Sequence, residues 1–177
     1  MRNLFKRCAS LMVAAIIFVS SVLGVGAFGH TFGGGEALAA ELDAATRTIK
    51  ANEQGETVTL PVEDFLLGRK KFNVACATCH VAGITKTNPN VGLDTESLEG
   101  AFPARDNLAA LVDYLHNPTT YDGLVEISEL HPSTKSSDVY PKMRNLTEDD
   151  LEAISAHILV MPKIMGDKWG AGKTKSL

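Results

Sequence analysis

Apolar side chains recur every three or four residues in three stretches of the chain, and this spacing predicts three amphipathic helices. The first opens at Pro61, the second begins after an N-cap at Asp106 and ends before Pro118, and the third is capped by Thr147 and ends at Pro162. The apolar positions that define the three helices are Phe65, Leu66 and Phe72; Leu108, Leu111, Val112 and Leu115; and Leu151, Ile154, Ile158 and Leu159.

Shorter patterns predict minor elements around these helices. Residues 46–50 and 57–60 are rich in Thr, Val, Ile and Leu and flank a polar turn, which predicts a small N-terminal β-hairpin. Glycines and an Asn-Pro pair interrupt residues 81–100, so a loop is expected there. Residues 124–130 predict a short helix with Leu130 facing inwards. The predicted class is therefore all-α with one minor hairpin.

Residues 1–39 have the pattern of a cleaved export signal. Basic residues precede an apolar stretch, and an Ala-Leu-Ala run ending at Ala39 provides an A-x-A cleavage site. The alternative is an uncleaved membrane anchor, because the apolar stretch approaches the roughly 20 residues that a bilayer requires. Serines and glycines dilute that stretch, so we expect cleavage.

Cleavage leaves residues 40–177, a length that suits one domain with its own core. The full chain has a formal net charge of −4, and loss of the basic leader makes the remainder more acidic. An acidic exported domain is a poor binder of nucleic acid and attracts basic protein surfaces instead. No later stretch is long and apolar enough to span a membrane, so any membrane association is expected to be peripheral.

The most specific motif is Cys76-Ala77-Thr78-Cys79-His80, the C-x-x-C-H pattern of covalent c-type haem attachment. On a helical turn, positions i and i+3 lie on one face, so both thiols can form thioethers with the vinyl groups at one porphyrin edge. The next residue, His80, then serves as the proximal iron ligand. We expect one covalent haem c, with residues 62–160 as the haem-binding core and 161–177 as a C-terminal tail.

Other chemistries fit these five residues less well. A thioredoxin-type cysteine pair occurs in a βαβ context, which the preceding sequence does not predict. A zinc site requires two further ligands at similar spacing, whereas the third cysteine, Cys8, leaves with the signal. Haem attachment is therefore the favoured interpretation.

The residue on the other axial face of the iron decides its chemistry, because methionine raises the potential, a second histidine lowers it, and a vacant position permits ligand binding. Candidates occur along the whole domain: His116, His131, His157, Met143, Met161 and Met165. Met143 precedes the last helix, where class I cytochromes c carry their axial methionine. His131 follows an apolar turn directly before Pro132. Pattern alone leaves the choice open.

The first predicted helix also resembles the N-terminal helix of class I cytochromes c. Gly68 lies inside it, where glycine costs about 1 kcal/mol relative to alanine. In class I cytochromes a glycine and an aromatic residue cross the C-terminal helix, and Gly68 with Phe72 resembles that pair. We therefore expect a close crossing of the first and last helices.

Five segments carry a more specific resemblance that covers essentially the whole mature chain. They are Gly83-Ile84-Thr85-Lys86-Thr87-Asn88-Pro89, Asn117-Pro118-Thr119-Thr120-Tyr121-Asp122-Gly123, His131-Pro132-Ser133, Pro141-Lys142-Met143-Arg144-Asn145-Leu146-Thr147 and Gly166-Asp167-Lys168-Trp169-Gly170. Together they resemble the low-potential cytochrome c of photosystem II, the extrinsic haem subunit on the lumenal side of the thylakoid membrane in cyanobacteria and some algae.

This resemblance implies a bis-histidine iron, with His80 proximal and His131 distal, and makes Met143 a pocket residue. It also implies a class I cytochrome c-like fold and a peripheral, non-catalytic subunit in the thylakoid lumen. The implied partners are the photosystem II core and other extrinsic subunits, and the implied role is to stabilise the manganese–calcium cluster with its calcium and chloride.

Two alternative functions remain open at this point. A diffusible exported electron carrier would have a high potential, and a peroxidase-like enzyme would have a vacant distal position. Basic residues also concentrate in the C-terminal tail, and with Trp169 they are predicted to help dock the protein on its partner. These basic residues are Lys163, Lys168, Lys173 and Lys175.

Overall fold

Helices dominate the computed structural model of this chain, which describes residues 42–170. The α-helices in chain order are α1 (Ala44–Arg47), α2 (Val62–Ala75), α3 (Thr95–Glu99), α4 (Leu108–His116) and α5 (Glu148–Met165). Two strands, β1 (Thr48–Lys50) and β2 (Thr57–Thr59), form an antiparallel hairpin, and single 3-10 turns cover Val81–Gly83, Pro141–Met143 and Gly166–Lys168. The expectation of helices with one small hairpin is confirmed.

The hairpin pairs Thr48 with Thr59 and Lys50 with Thr57, so its strands are shorter than predicted. Ile49 lies in β1 and is buried. It packs with Phe65 of α2 and several other apolar side chains in one of two core clusters. The hairpin therefore packs against the helices, and its polar strand positions remain at the surface.

The crossing of α2 and α5 forms the centre of the fold. Gly68 lies on α2 so close to α5 that a Cβ atom added to it would be 1.8 Å from the carbonyl oxygen of Ala153. Only glycine permits this approach, because any larger residue would overlap backbone atoms rather than a movable side chain. The predicted close crossing of these helices is confirmed, and Phe72 is buried one turn further along α2.

Helix α5 begins as the sequence predicts but ends later. Thr147 and Asp150 form a capping box, and Lys71 of α2 donates to the Asp150 carboxylate at 2.8 Å. The predicted end at Pro162 is wrong, because the helix continues to Met165. Proline removes one donor from the ladder, but the final turn is held by apolar residues that pack on the core: Met161, Ile164 and Met165.

The segment between α4 and α5 is irregular, so the helix predicted for residues 124–130 is wrong. A bridge joins Thr119 to Glu126 instead, and Leu130 is 81% exposed rather than facing inwards. The predicted N-cap of α4 is also displaced by one residue. Asn107, not Asp106, accepts the backbone N–H of Ala110 at 3.0 Å.

The chain end of the described region folds back on the loop after α2. Trp169 is 4% exposed and packs beside Phe72, with ring centroids 5.7 Å apart. Its indole Nε1 donates to the carbonyl of Leu93 at 2.9 Å, and the Gly170 N–H donates to Ala82 at 2.8 Å. The Trp169 ring is therefore enclosed by its own domain, and the docking role of the basic tail stays a prediction.

Two of the predictions made from sequence fall on residues outside this region. The expected export signal, residues 1–39, and the basic residues Lys173 and Lys175 lie outside the described residues. Within residues 42–170, no helix has both the length and the apolar character needed to cross a bilayer.

Candidate haem site

The cysteine motif lies at the C-terminal end of helix α2. Cys76 is the C-cap residue of the helix, and the turn that follows is closed by the backbone N–H groups of Cys79 and His80, which both donate to the Cys76 carbonyl. Cys76 is half-buried and Cys79 is exposed. Burial, with a smaller contribution from Cys79, raises the pKa of the Cys76 thiol to about 12, so this sulfur is uncharged in its apolar setting.

The imidazole of His80 is oriented by the loop that follows it. Its Nδ1 lies 3.2 Å from the hydroxyl oxygen of Thr85, within hydrogen-bonding distance. Burial lowers the pKa of His80, which favours the neutral imidazole that binds metals. With Nδ1 occupied by a partner, Nε2 is the nitrogen that remains for a metal, a common arrangement for ligating histidines.

His131 faces His80 although the two are far apart in sequence. Their ring centroids are 6.0 Å apart, and the ring planes are inclined at 55°. Metal-bound imidazole nitrogens lie about 2 Å from a metal, so two imidazoles on opposite faces of one ion have ring centres about 6 Å apart. The observed separation therefore fits an iron between the two rings. Burial, followed by the charge on His80, lowers the pKa of His131 to about 4.

The other candidate ligands have different surroundings. Met143 is 3% exposed and belongs to the main core cluster. His116 contacts Thr134 at 2.7 Å and Glu148 at 3.1 Å. His157 is buried in an aromatic cage of three rings: Phe65, Phe72 and Trp169. The ring that the fold brings opposite His80 is thus that of His131.

Two residues beside His131 were not predicted from the sequence. The Tyr114 ring meets the His131 imidazole edge-on, with centroids 5.0 Å apart. The guanidinium carbon of Arg105 lies 4.0 Å from the centroid of that same tyrosine ring. A tyrosine on the outer part of an amphipathic helix and an arginine in a loop carry no local motif, so only the tertiary structure reveals this stack.

Trp169 covers the start of the loop that follows His80. Gly83 has a φ of +78°, and a Cβ atom there would be 2.7 Å from the Trp169 ring. Glycine is therefore required both by the backbone conformation and by the indole that covers it. Leu93 N–H donates to the Gly83 carbonyl at 2.8 Å, which ties the two ends of this loop together.

Residues 40–176 match the sequence profile of the cytochrome c-550 domain. The chain belongs to the cytochrome c-550 family. Membership implies a c-type haem, which agrees with the geometry at His80 and His131. The C-x-x-C-H motif lies inside the matched region, as do all the candidate axial ligands.

Relatives of this cytochrome c-550 chain carry a consistent name. The chain is 66% identical over 139 residues to photosystem II extrinsic protein V of Synechococcus elongatus, covering 78% of this chain and 83% of that one. It is 51% identical over 170 residues to the protein of the same name from Trichormus variabilis, covering 96% and 98%.

Solved structures support the fold. The crystal structure of cytochrome c549 matches with a TM-score of 0.71 and 55% identity, covering 72% of this chain and 99% of that chain. The PsbV2 cytochrome of Thermosynechococcus elongatus matches with a TM-score of 0.59 and 35% identity, covering 70% and 87%. The cytochrome c-like fold is therefore confirmed.

Proposed function

We propose that this chain is an extrinsic, haem-bearing subunit of photosystem II. The observation that carries the proposal is the 66% identity to a protein named for that role, over a region that includes the whole haem motif. The acidic charge of the chain and the predicted export signal agree with a protein that acts outside the cytoplasm on a larger assembly. Its place would be the lumenal face of the thylakoid membrane, as a peripheral protein.

Within that role, Cys76 and Cys79 would hold one haem c through thioether bonds. His80 would bind the iron on the proximal face and His131 on the distal face. The 6.0 Å spacing of the two imidazoles supports this pair, and both histidines have lowered pKa values that keep the ring neutral. Met143 would then be a core residue near the site and not a ligand.

A bis-histidine iron has both axial positions filled and a low potential. Such a haem offers no coordination site to a substrate, so the subunit would be non-catalytic. Its contribution would be structural: it would bind the photosystem II core and neighbouring extrinsic subunits and stabilise the manganese–calcium cluster with its calcium and chloride. Electron transfer would be secondary.

The ligand assignment is tested by a redox titration of the purified haem protein with its near-infrared spectrum. We expect a low potential and no band from a methionine–iron bond. Met143→Leu is the matched variant, since it removes the sulfur and keeps the volume, and it should leave both results unchanged. A high potential with that band, abolished by Met143→Leu, would instead favour an electron carrier with a methionine ligand.

The subunit role is tested separately by rebinding. Photosystem II particles washed free of extrinsic proteins should bind the haem protein and regain oxygen evolution at low calcium and chloride concentrations. An unrelated acidic cytochrome of similar size serves as the control. If the protein neither binds nor restores activity, a diffusible electron carrier becomes the better interpretation.

A further inference from the structure

We propose that Arg105 is a positioning residue for His131: it holds the Tyr114 ring against the imidazole and places a buried positive charge on the distal side of the haem. This inference rests on the proposed assignment of His131 as a ligand. It concerns residues for which neither the haem motif nor the family match implies any role.

Arg105 is a buried cation held by backbone groups. Its side chain is largely enclosed, and the residue is 8% exposed. Its Nη2 donates to the carbonyl of Thr120 at 2.7 Å, to the carbonyl of Thr119 at 3.1 Å and to the Thr119 hydroxyl at 3.3 Å. Within residues 42–170, no carboxylate forms a salt bridge with it. The guanidinium remains charged in proteins, so Arg105 places a positive charge beside the Tyr114 ring.

Tyr114 connects this charge to the ligand. The guanidinium carbon lies 4.0 Å from the ring centroid, a cation–π distance, and the same ring contacts His131 edge-on at 5.0 Å. The Arg105 side chain is fixed by three acceptors, so it restrains the tyrosine ring that contacts His131.

Hydrogen bonding gives His131 little orientation beyond the backbone of Pro132, which acts on the imidazole without forming a hydrogen bond of normal geometry. Thr85 lies within hydrogen-bonding distance of Nδ1 of His80, whereas the buried Nδ1 of His131 has no hydrogen bond of normal geometry within residues 42–170. Ligating histidines are usually oriented by a partner on the second nitrogen. The Tyr114 ring adds to that orientation by packing against the imidazole.

The charge has a redox consequence with a definite sign. Reduction of ferric to ferrous haem lowers the charge of the iron by one, so a nearby cation stabilises the reduced state and raises the potential. Arg105 is buried, and its field is therefore screened less than that of a surface lysine. It would partly offset the low potential set by two histidine ligands.

The test measures the midpoint potential of the holoprotein and three variants. Arg105→Gln should lower the potential, Arg105→Lys should retain most of the wild-type value, and Lys135→Gln should leave it unchanged. Lys135 is the control because it is an exposed cation, already paired with Glu126 at 2.6 Å, in the same irregular segment as His131. An Arg105→Gln potential equal to that of the wild type would overturn the inference.

A second pair of variants examines the ring itself. Tyr114→Leu removes the aromatic ring that packs against His131. Carbon monoxide binding to the ferrous protein should therefore become at least tenfold faster, and the ferric electron paramagnetic resonance g-values should change. Tyr114→Phe keeps the ring and should behave like the wild type. If Arg105→Gln yields no folded holoprotein, the two Tyr114 variants provide the test. Equal carbon monoxide binding rates for Tyr114→Leu and Tyr114→Phe would refute the positioning role.

Failure of this inference is distinguishable from failure of the ligand assignment. A methionine band in the wild-type spectrum would overturn both. A wild-type protein without that band, combined with a normal potential in Arg105→Gln and slow carbon monoxide binding in Tyr114→Leu, would overturn the role of Arg105 and leave His131 as the ligand.

Discussion

His80 and His131, the two proposed axial ligands, are held in different ways. His80 closes the turn that follows helix α2, which crosses α5 at Gly68, and Thr85 lies within hydrogen-bonding distance of its second ring nitrogen. His131 lies in an irregular segment and relies on the Tyr114 ring. The proximal side is therefore built on a helix and a local motif, whereas the distal side is built from side-chain packing in an irregular segment. The distal side should be the easier one to loosen without unfolding the protein.

The largest expected difference between the two sides concerns haem retention. Cys76→Ser combined with Cys79→Ser should abolish covalent haem, since both thioethers are lost, whereas His131→Ala should retain it and open the iron to carbon monoxide. Haem staining after denaturing electrophoresis and carbon monoxide difference spectra measure the two effects. Covalent haem in the double serine variant would contradict the proposed attachment.

The helix crossing below His80 should dominate global stability. Gly68→Ala places a Cβ atom 1.8 Å from the Ala153 carbonyl oxygen and should lower the free energy of unfolding by about 3 kcal/mol or more. Gly55→Ala is the control: it also replaces a glycine, with a φ of +82°, but its Cβ atom meets no neighbour within 4 Å. It should cost only about 1 kcal/mol of backbone strain. Urea unfolding measures both, and similar losses would show that the crossing tolerates a methyl group.

The aromatic cage on the α2–α5 side predicts a pH dependence. Burial, with a smaller contribution from Arg69, lowers the pKa of His157 to about 4 from 6.5. Between these two values the unfolded chain binds more protons than the folded one, so stability falls as the pH falls through this window. The loss from this group should be about 2 kcal/mol between pH 7 and pH 5.

His157→Phe isolates that contribution, because it keeps an aromatic ring between Phe65 and Phe72 and removes the titrating group. The difference in unfolding free energy between pH 7 and pH 5 should shrink by about 2 kcal/mol relative to the wild type. Equal pH slopes for the two proteins would show that His157 does not carry the effect.

The smallest predicted effect is on the distal segment. The Tyr140 hydroxyl donates to the Glu129 carbonyl at 2.8 Å, two residues before His131. Tyr140→Phe removes that hydrogen bond and should cost about 1 kcal/mol of stability, with faster carbon monoxide binding than in the wild type. Tyr121→Phe is the control, because it makes the same change at another tyrosine of that segment. If Tyr140→Phe lost more stability than Gly68→Ala, the distal side and not the proximal side would contribute more to global stability.

The elements that depend on local sequence were predictable. Thr147 with its acidic first turn located the start of α5, and the hairpin and α2 follow from alternating and helical apolar spacing. The haem motif is itself local, because five consecutive residues contain both thiols and one imidazole. Gly68 indicated the helix crossing, since an interior glycine in a helix requires a packing reason.

The errors occur where long-range contacts outweigh local preference. Pro162 favours a helix end, yet packing on the core extends α5 past it. Residues 124–130 contain helix formers, but a bridge and turns occupy them. The distal ligand was not among the errors: spacing alone left Met143 and His131 both open, the family resemblance implied His131, and its ring lies opposite His80. Arg105 and Tyr114 had no local signal at all.

The hydrogen bond from Trp169 to Leu93 spans 76 residues, and this separation has a kinetic consequence. Contacts between distant parts of a chain form late in folding, because closing a long loop costs entropy before the contact contributes favourable free energy. The loop after His80 therefore reaches its final form only when the last turn of the domain arrives. The cysteine motif itself needs nothing beyond one helical turn, so the thiols are presented before Trp169 closes over Gly83.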